Sequence, residues 1–255
     1  MSDQKSDILF ELKNISYSYI DGSKKRVILN DLSYAFERGK FYTILGPSGS
    51  GKTTLLALAS ALDVPETGEI FFNEKNIKKI GYTKFRRNCM AIIFQKYNLV
   101  DYLNGVENVE SSMMIVDKKI SGNKRDVAYK ILDSMGIVKS KADRRVTKLS
   151  GGEQQRVAIS RALAKDVDLI FGDEPTGALD TATEKEVIEL FTSLAHNYGK
   201  TIILVTHSDD VAHSSDITLK LRDGKLHEIT RKGELSQEEI KEIKEQEYKE
   251  VEVLA

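Results

Sequence analysis

The chain has 255 residues, 40% of them hydrophobic and 30% charged, which suffices for one sizeable core or two closely joined subdomains. Its 38 basic and 39 acidic residues nearly cancel, so the charge excess that nucleic-acid binding needs is missing and no nucleic-acid partner is expected. No apolar stretch reaches membrane-spanning length, Met1–Lys5 lacks the apolar core of a signal peptide, and the single Cys89 excludes an internal disulfide and fits a reducing compartment.

From Ile8 to Phe36 the pattern reads as strands, with Phe10, Leu12, Ile15, Tyr17 and Tyr19 roughly alternating with polar residues and a turn at Asp21–Lys25. Phe41–Leu45 is a short apolar strand ending in a glycine-rich loop. A helix over Lys52–Leu62 follows. Ala91–Phe94 is a further buried strand, after which Val106 to Lys165 reads as helical, including Asp126–Met135 with its stripe of Val127, Ile131 and Leu132. Leu169–Phe171 and Thr201–Val205 are apolar strands flanking a helix over Ala182–His196. Strands alternating with helices predict an α/β fold with a mainly parallel sheet covered on both faces. The expected organisation is a domain over 1–230, with a core at about 8–95 and 166–228 and an inserted helical subdomain at about 98–165. The segment 231–255 is expected to be a charged helical extension, opened by a capping box of Ser236 and Glu239.

Gly46-Pro47-Ser48-Gly49-Ser50-Gly51-Lys52-Thr53 fits the pattern G-x-x-x-x-G-K-[ST] in full, between a strand and a helix. Such a loop points its amides inward, and the following helix adds a positive N-terminal dipole, which together cradle phosphates. Lys52 is expected to reach the β- and γ-phosphates and Thr53 to ligate Mg²⁺.

The run Val167–Glu174 is an apolar strand ending in two carboxylates. A strand buried on both faces carries paired acids at its end when they face a site. Asp173 suits Mg²⁺, held through water, and Glu174 suits polarisation of an attacking water as general base. His207 follows Thr201–Thr206, and the carboxyl ends of parallel strands share one edge where ligands bind, so a γ-phosphate contact is expected. Gln95 ends its own strand in the same way, facing Mg²⁺ or the attacking water.

Leu149-Ser150-Gly151-Gly152-Glu153-Gln154 opens a second glycine-marked helix, with Ser150 and Glu153 as a capping box. This is a second anion site without a lysine, and one phosphate loop holds one nucleotide. The second site therefore suits another molecule's nucleotide.

With these motifs in this order, and with Gly177-Ala178-Leu179-Asp180 between the acids and His207, the sequence over about 8–228 strongly resembles the ATPase domains of ABC proteins. The resemblance implies the ABC ATPase fold: a P-loop core, an N-terminal antiparallel β region and an inserted α-helical subdomain. It implies hydrolysis of ATP with Mg²⁺ in a head-to-tail homodimer, each ATP lying between one P-loop, including Thr54, and the partner's Leu149–Gln154 signature. It further implies communication across the interface through Asp180, adenine stacking on Tyr19 with Tyr17 as a near rival, and a membrane subunit's coupling helix received around Gln95–Glu110. Two departures are Ser160, where alanine is usual, and the absence of a common proline in Arg145-Val146-Thr147-Lys148.

Within the family, Pro47–Ser50, Phe94–Leu99 and Asp173–Asp180 look most like the branch serving macrolide and antimicrobial-peptide exporters, lipoprotein release and the cell-division pair. That implies a subunit at the cytoplasmic face of the membrane with an integral membrane permease, and with a periplasmic-adaptor-like or extracellular accessory protein. It also implies export or antibiotic resistance as the output. The alternative is an ATP-driven clamp that regulates cell-envelope enzymes without moving substrate.

Overall fold

A computed structural model describes residues 7–22, 24–177 and 179–229. In chain order the elements are β1 (Ile8–Asp21), β2 (Lys24–Glu37), β3 (Phe41–Leu45), α1 (Lys52–Ala59), β4 (Thr67–Phe72), β5 (Lys75–Asn76), α2 (Ile77–Ile80) and α3 (Tyr82–Asn88). There follow β6 (Met90–Phe94), α4 (Gly105–Ile115), α5 (Lys124–Ser134), α6 (Lys139–Ala142), a 3-10 turn at Val146–Lys148 and α7 (Gly151–Leu163). The chain continues through β7 (Leu169–Asp173), α8 (Thr181–His196), β8 (Thr201–Val205), α9 (Asp209–Ser214), β9 (Ile217–Arg222) and β10 (Lys225–Ile229).

Two sheets form. One is antiparallel, in the order β2-β1-β4-β5; the other runs β10-β9-β3-β8-β7-β6, parallel except for the β9–β10 hairpin. The central strands β3, β7 and β8 are apolar runs buried almost throughout, as strands covered on both faces must be.

Register decides where the functional groups fall. Ile44 pairs with Val205, Val205 with Asp173, and Asp173 with Phe94, so four parallel strands end in one row. The residues just beyond that row are the start of the phosphate loop, Thr206–His207, Glu174 and Gln95. The shared edge expected from sequence is present.

Three apolar clusters hold the chain together. One fills the space between the two sheets and α1, where Phe10 of β1 meets Phe171 of β7 edge-on at 5.5 Å between ring centroids. A second packs α7 and α8 on the other face of the parallel sheet. The third lies among α4, α5 and the start of α7, centred on Val106, Val109, Leu132 and Val157. Among the described residues of 106–165 there is no strand, as the pattern predicts.

Several expectations need correction. The helix expected over Lys52–Leu62 ends at Ala59, because Ala61 takes a left-handed φ of 55° and turns the chain, which leaves Leu62 exposed rather than in the apolar stripe. The turn expected at Asp21–Lys25 is shorter, since β1 reaches Asp21 and β2 begins at Lys24. The sequence pattern carries no expectation for β4, β5, α2, α3, α9, β9 and β10. The extension 231–255 lies outside the described residues.

Candidate functional site: a phosphate cleft at the sheet edge

The loop after β3 is shaped by its glycines. Gly49 and Gly51 hold φ of 80° and 99°, in the left-handed region that favours glycine. A Cβ on Gly51 would come within 2.6 Å of Cγ2 of Ile28 on β2, so the loop and the hairpin are pressed together there. Lys52 bends back beneath the loop, its Nζ donating to the carbonyls of Gly46 at 2.6 Å and Pro47 at 3.0 Å. Ser50 N donates to the same Pro47 carbonyl at 3.2 Å, closing the turn.

Above this loop opens a cleft of about 760 Å³. Ser48, Gly49, Gly51, Lys52, Thr53 and Thr54 line one side; Tyr19, Ile20, Arg26 and Ile28 of the β1–β2 hairpin line another; Asp173, Glu174, Val205 and His207 close the sheet edge. Most of the residues expected to meet the nucleotide thus share one space. Arg26, Ile20 and Ile28 were not anticipated, because no motif marks them and only the antiparallel pairing of the hairpin brings them to the loop.

The two tyrosines separate. Tyr17 donates to a carboxylate oxygen of Asp63 at 2.6 Å, and this bond, with burial, pushes its phenol well above the usual range. Tyr19 lines the cleft, with its hydroxyl 3.3 Å from Oγ1 of Thr54.

Glu174 adopts φ of 45°, unusual for a side-chain-bearing residue, and its amide is anchored by donation to Val205 O at 2.8 Å. Nδ1 of His207 lies 3.0 Å from Oε1 of Glu174. Asp173 beside it is half-buried. Desolvation, and then the charge of Glu174, raise its carboxyl above the usual value, while Lys52 pulls it down. Gln95 is not part of the cleft lining; it flanks Gly177, where an added Cβ would sit 3.2 Å from Gln95 Nε2 and 3.4 Å from Glu174 Oε2.

The donor set suits MgATP. The cleft offers a glycine cradle and a lysine for phosphates, with hard oxygen donors at Thr53 and Asp173. Among the described residues no group of three or more His, Cys, Asp or Glu is arranged to hold a metal ion. Thr53 and Asp173 are the hard oxygen donors that would hold a Mg²⁺ bound together with the nucleotide's phosphates.

The signature lies elsewhere. Ser150 caps α7, its Oγ accepting from Glu153 N at 3.3 Å, and the Glu153 carboxylate accepts from Ser150 N at 2.9 Å. Lys141, 2.6 Å from Glu153, is the main reason that carboxyl titrates lower than usual, with the Ser150 amide second. Leu149 is buried and accepts from Gln154 Nε2 at 3.0 Å. Gly152 is needed where it stands, since a Cβ there would meet Thr183 Cγ2 at 2.6 Å. Ser150 and Gly151 are exposed, and no residue of α7 lines the cleft. Asp180 is the N-cap of α8, bonded to the amide and hydroxyl of Thr183 at 3.1 and 2.7 Å. Ser160 is buried and returns its hydroxyl to Arg156 O at 2.8 Å, which accommodates the departure from alanine.

The family model described as ABC transporter matches residues 29–177. The chain is 44% identical over 216 residues to YclH, an uncharacterised ABC transporter ATP-binding protein of Bacillus subtilis, covering 85% of this chain and 94% of that one. It is 37% identical over 219 residues to the macrolide export ATP-binding/permease protein MacB of Chlorobaculum tepidum, covering 85% of this chain but 33% of the longer protein. Its fold matches the ATP-binding cassette MJ0796 of Methanocaldococcus jannaschii, solved as a dimer in a post-hydrolysis state bound to ADP and Pi. That match has a TM-score of 0.80 and 34% identity, over 89% of this chain and 100% of that one. The chain belongs to the ABC transporter family and is an ATP-binding subunit of it, an ATPase that uses ATP with Mg²⁺.

Proposed function

We propose that this chain works as a homodimer that closes on two MgATP molecules and thereby drives an integral membrane permease from the cytoplasmic face. One observation carries the dimer: the N-terminus of α7, capped by Ser150 and Glu153, is exposed and contributes nothing to the cleft of its own chain, and a helix N-terminus left open in this way suits an anion. In this reading its nucleotide comes from a second copy, and the dimeric cassette of the archaeal relative supports that.

In this reading the phosphate loop Gly46–Thr53, with Thr54, holds the triphosphate, and Lys52 swings from its carbonyl partners to the β- and γ-phosphates. Thr53 and Asp173 hold Mg²⁺. Glu174 takes the proton of the attacking water, and His207 orients Glu174 through their hydrogen bond while its other ring nitrogen faces the γ-phosphate. Tyr19 is the wall on which adenine stacks. Gln95, beside Gly177, reports the state of Mg²⁺ or the attacking water to the coupling region. The partner's Leu149–Gln154 closes the site, and Asp180 links the two sites. The third apolar cluster supports treating about 98–165 as a helical subdomain hinged on the core at 8–95 and 166–228.

Export of macrolide-like drugs, antimicrobial peptides or lipoproteins is the proposed output, supported by likeness to the macrolide exporter. Among the described residues no helix is long and apolar enough to cross a membrane, so the substrate path belongs to the permease. Affinity purification of the tagged full chain from detergent-solubilised membranes tests this. An integral membrane protein should be recovered in stoichiometric amount, and ATP should drive substrate out of cells or into inverted vesicles bearing the complex. Recovery without any membrane protein would remove the permease from the account. A complex that hydrolyses ATP and activates an envelope enzyme but moves no substrate would replace export with regulation.

A further inference from the structure

Arg26 of β2 is registered directly opposite Tyr19 of β1. Antiparallel cross-strand partners project from the same face with Cβ atoms about 5 Å apart, and both side chains line the cleft. Two residues along β2, Ile28 presses on Gly51 of the phosphate loop. Arg26 therefore stands one pleat, about 7 Å, from that contact toward the hairpin tip. It also borders a second cavity of about 370 Å³, whose walls include Gly49 and Ser50 of the same loop and Asp223, whose carboxylate is paired with Arg222 at 3.4 Å. Its side chain thus spans the edge between the aromatic wall and the phosphate cradle.

Its charge has no partner among the described residues. Arg26 is exposed, and among the described residues its side chain makes no hydrogen bond or ion pair. An ordinary surface arginine on a hairpin faces open water or a cross-strand carboxylate; this one faces a tyrosine across the strand and a cleft fit for a triphosphate. A guanidinium presents a rigid fork of donors that matches phosphate oxygens, and it stays charged at any working pH.

We infer that Arg26 is a positioning residue for the nucleotide, engaging the phosphate chain from the hairpin side, opposite Lys52. The inference rests on reading the cleft as the ATP site. Lys52 grips the phosphates from beneath the loop, while Arg26 holds them from the mouth and Tyr19 alone meets the base. The ligand class it selects is a polyphosphate nucleotide rather than a nucleoside.

The test is equilibrium binding of MgATP, MgADP and adenosine to the full-length chain carrying Glu174→Gln, with and without Arg26→Ala, Arg26→Gln and Arg26→Lys, at two salt concentrations. Arg26→Ala and Arg26→Gln should each weaken MgATP and MgADP about tenfold, the loss expected for one charge-assisted hydrogen bond. Adenosine binding should be unchanged, Arg26→Lys should recover most of the loss, and the salt dependence of ATP binding should flatten in the neutral variants. MgATP affinity within twofold of the parent in both neutral variants would overturn the inference. So would an equal loss for adenosine, which would assign Arg26 to the base. Thermal melts of each variant against the parent identify a folding defect, and a variant that melts with the parent yet binds ATP normally counts against the inference. If the parent itself fails to bind MgATP, the reading of the cleft falls first and the role of Arg26 with it. If the parent binds and Lys52→Ala does not, a null result at Arg26 overturns this inference alone.

Discussion

Nδ1 of His207 lies 3.0 Å from Oε1 of Glu174, across the ends of two adjacent parallel strands. Glu174 reaches this position only by taking a left-handed backbone with φ of 45°, a strain on the order of 1–3 kcal/mol. In that conformation Glu174 lines the cleft. Glu174→Gln should bind MgATP as well as the parent while phosphate release falls at least ~100-fold, the usual scale for loss of a general base. Steady-state phosphate release beside a nucleotide-binding isotherm checks this. Turnover near that of the parent would remove Glu174 from the base role.

Asp173 is expected to be costly for stability. Its carboxyl titrates above the usual value, chiefly through desolvation. A raised folded value means that its contribution to stability is full below the ordinary carboxylate range and is lost as pH rises through the raised value. Asp173→Asn should therefore melt higher than the parent at pH 7–8, by about 2–4 °C if the relief is ~1 kcal/mol. The gap should close toward pH 3. Calorimetric melts across that range, with ATPase assays showing the activity lost, read both effects. A lower Tm for Asp173→Asn at neutral pH would contradict the assignment.

The two tyrosines should part in kinetics. Tyr19→Ala should raise KM for ATP roughly tenfold, since stacking on a base is worth about 1–3 kcal/mol. Tyr17→Phe should leave KM unchanged and lower stability by about 1 kcal/mol, through loss of its bond to Asp63. The reverse pattern would make Tyr17 the base-facing residue.

The joint between the sheets is apolar. Phe171 of β7 is fully buried and meets Phe10 of β1 edge-on. Phe171→Ala should cost roughly 3–5 kcal/mol in chemical denaturation, and because β7 carries Asp173 and Glu174, ATPase activity should fall with it. A loss below about 1 kcal/mol would mean the sheets are held together elsewhere.

Much of this site is legible in the sequence, for a physical reason. Strands buried on both faces are written as uninterrupted apolar runs, so β3 and β8 coincide with the predicted Phe41–Leu45 and Thr201–Val205. The chemistry then sits at their carboxyl ends, within a few residues of an unmistakable pattern. Less was legible where structure depends on distant pairing. β4 and the β9–β10 hairpin lie toward the sheet edges and mix polar with apolar residues, β9 in alternation, so no long apolar run marks them. Arg26 carries no motif and enters the cleft only because β2 pairs with β1 in one register. The bond between His207 and Glu174 joins residues 33 apart that meet only once β7 and β8 are side by side.

The central claim is that each ATP is completed by the α7 N-terminus of a second copy. The direct measurement is the mass in solution, by light scattering with size exclusion, of Glu174→Gln with MgATP, and of the same variant carrying Ser150→Arg, each with a nucleotide-binding assay. The account predicts a dimer for Glu174→Gln only when ATP is present, and a monomer that still binds ATP when Ser150→Arg is added. A dimer that survives Ser150→Arg unchanged, or a Glu174→Gln chain that stays monomeric at saturating MgATP, would contradict it.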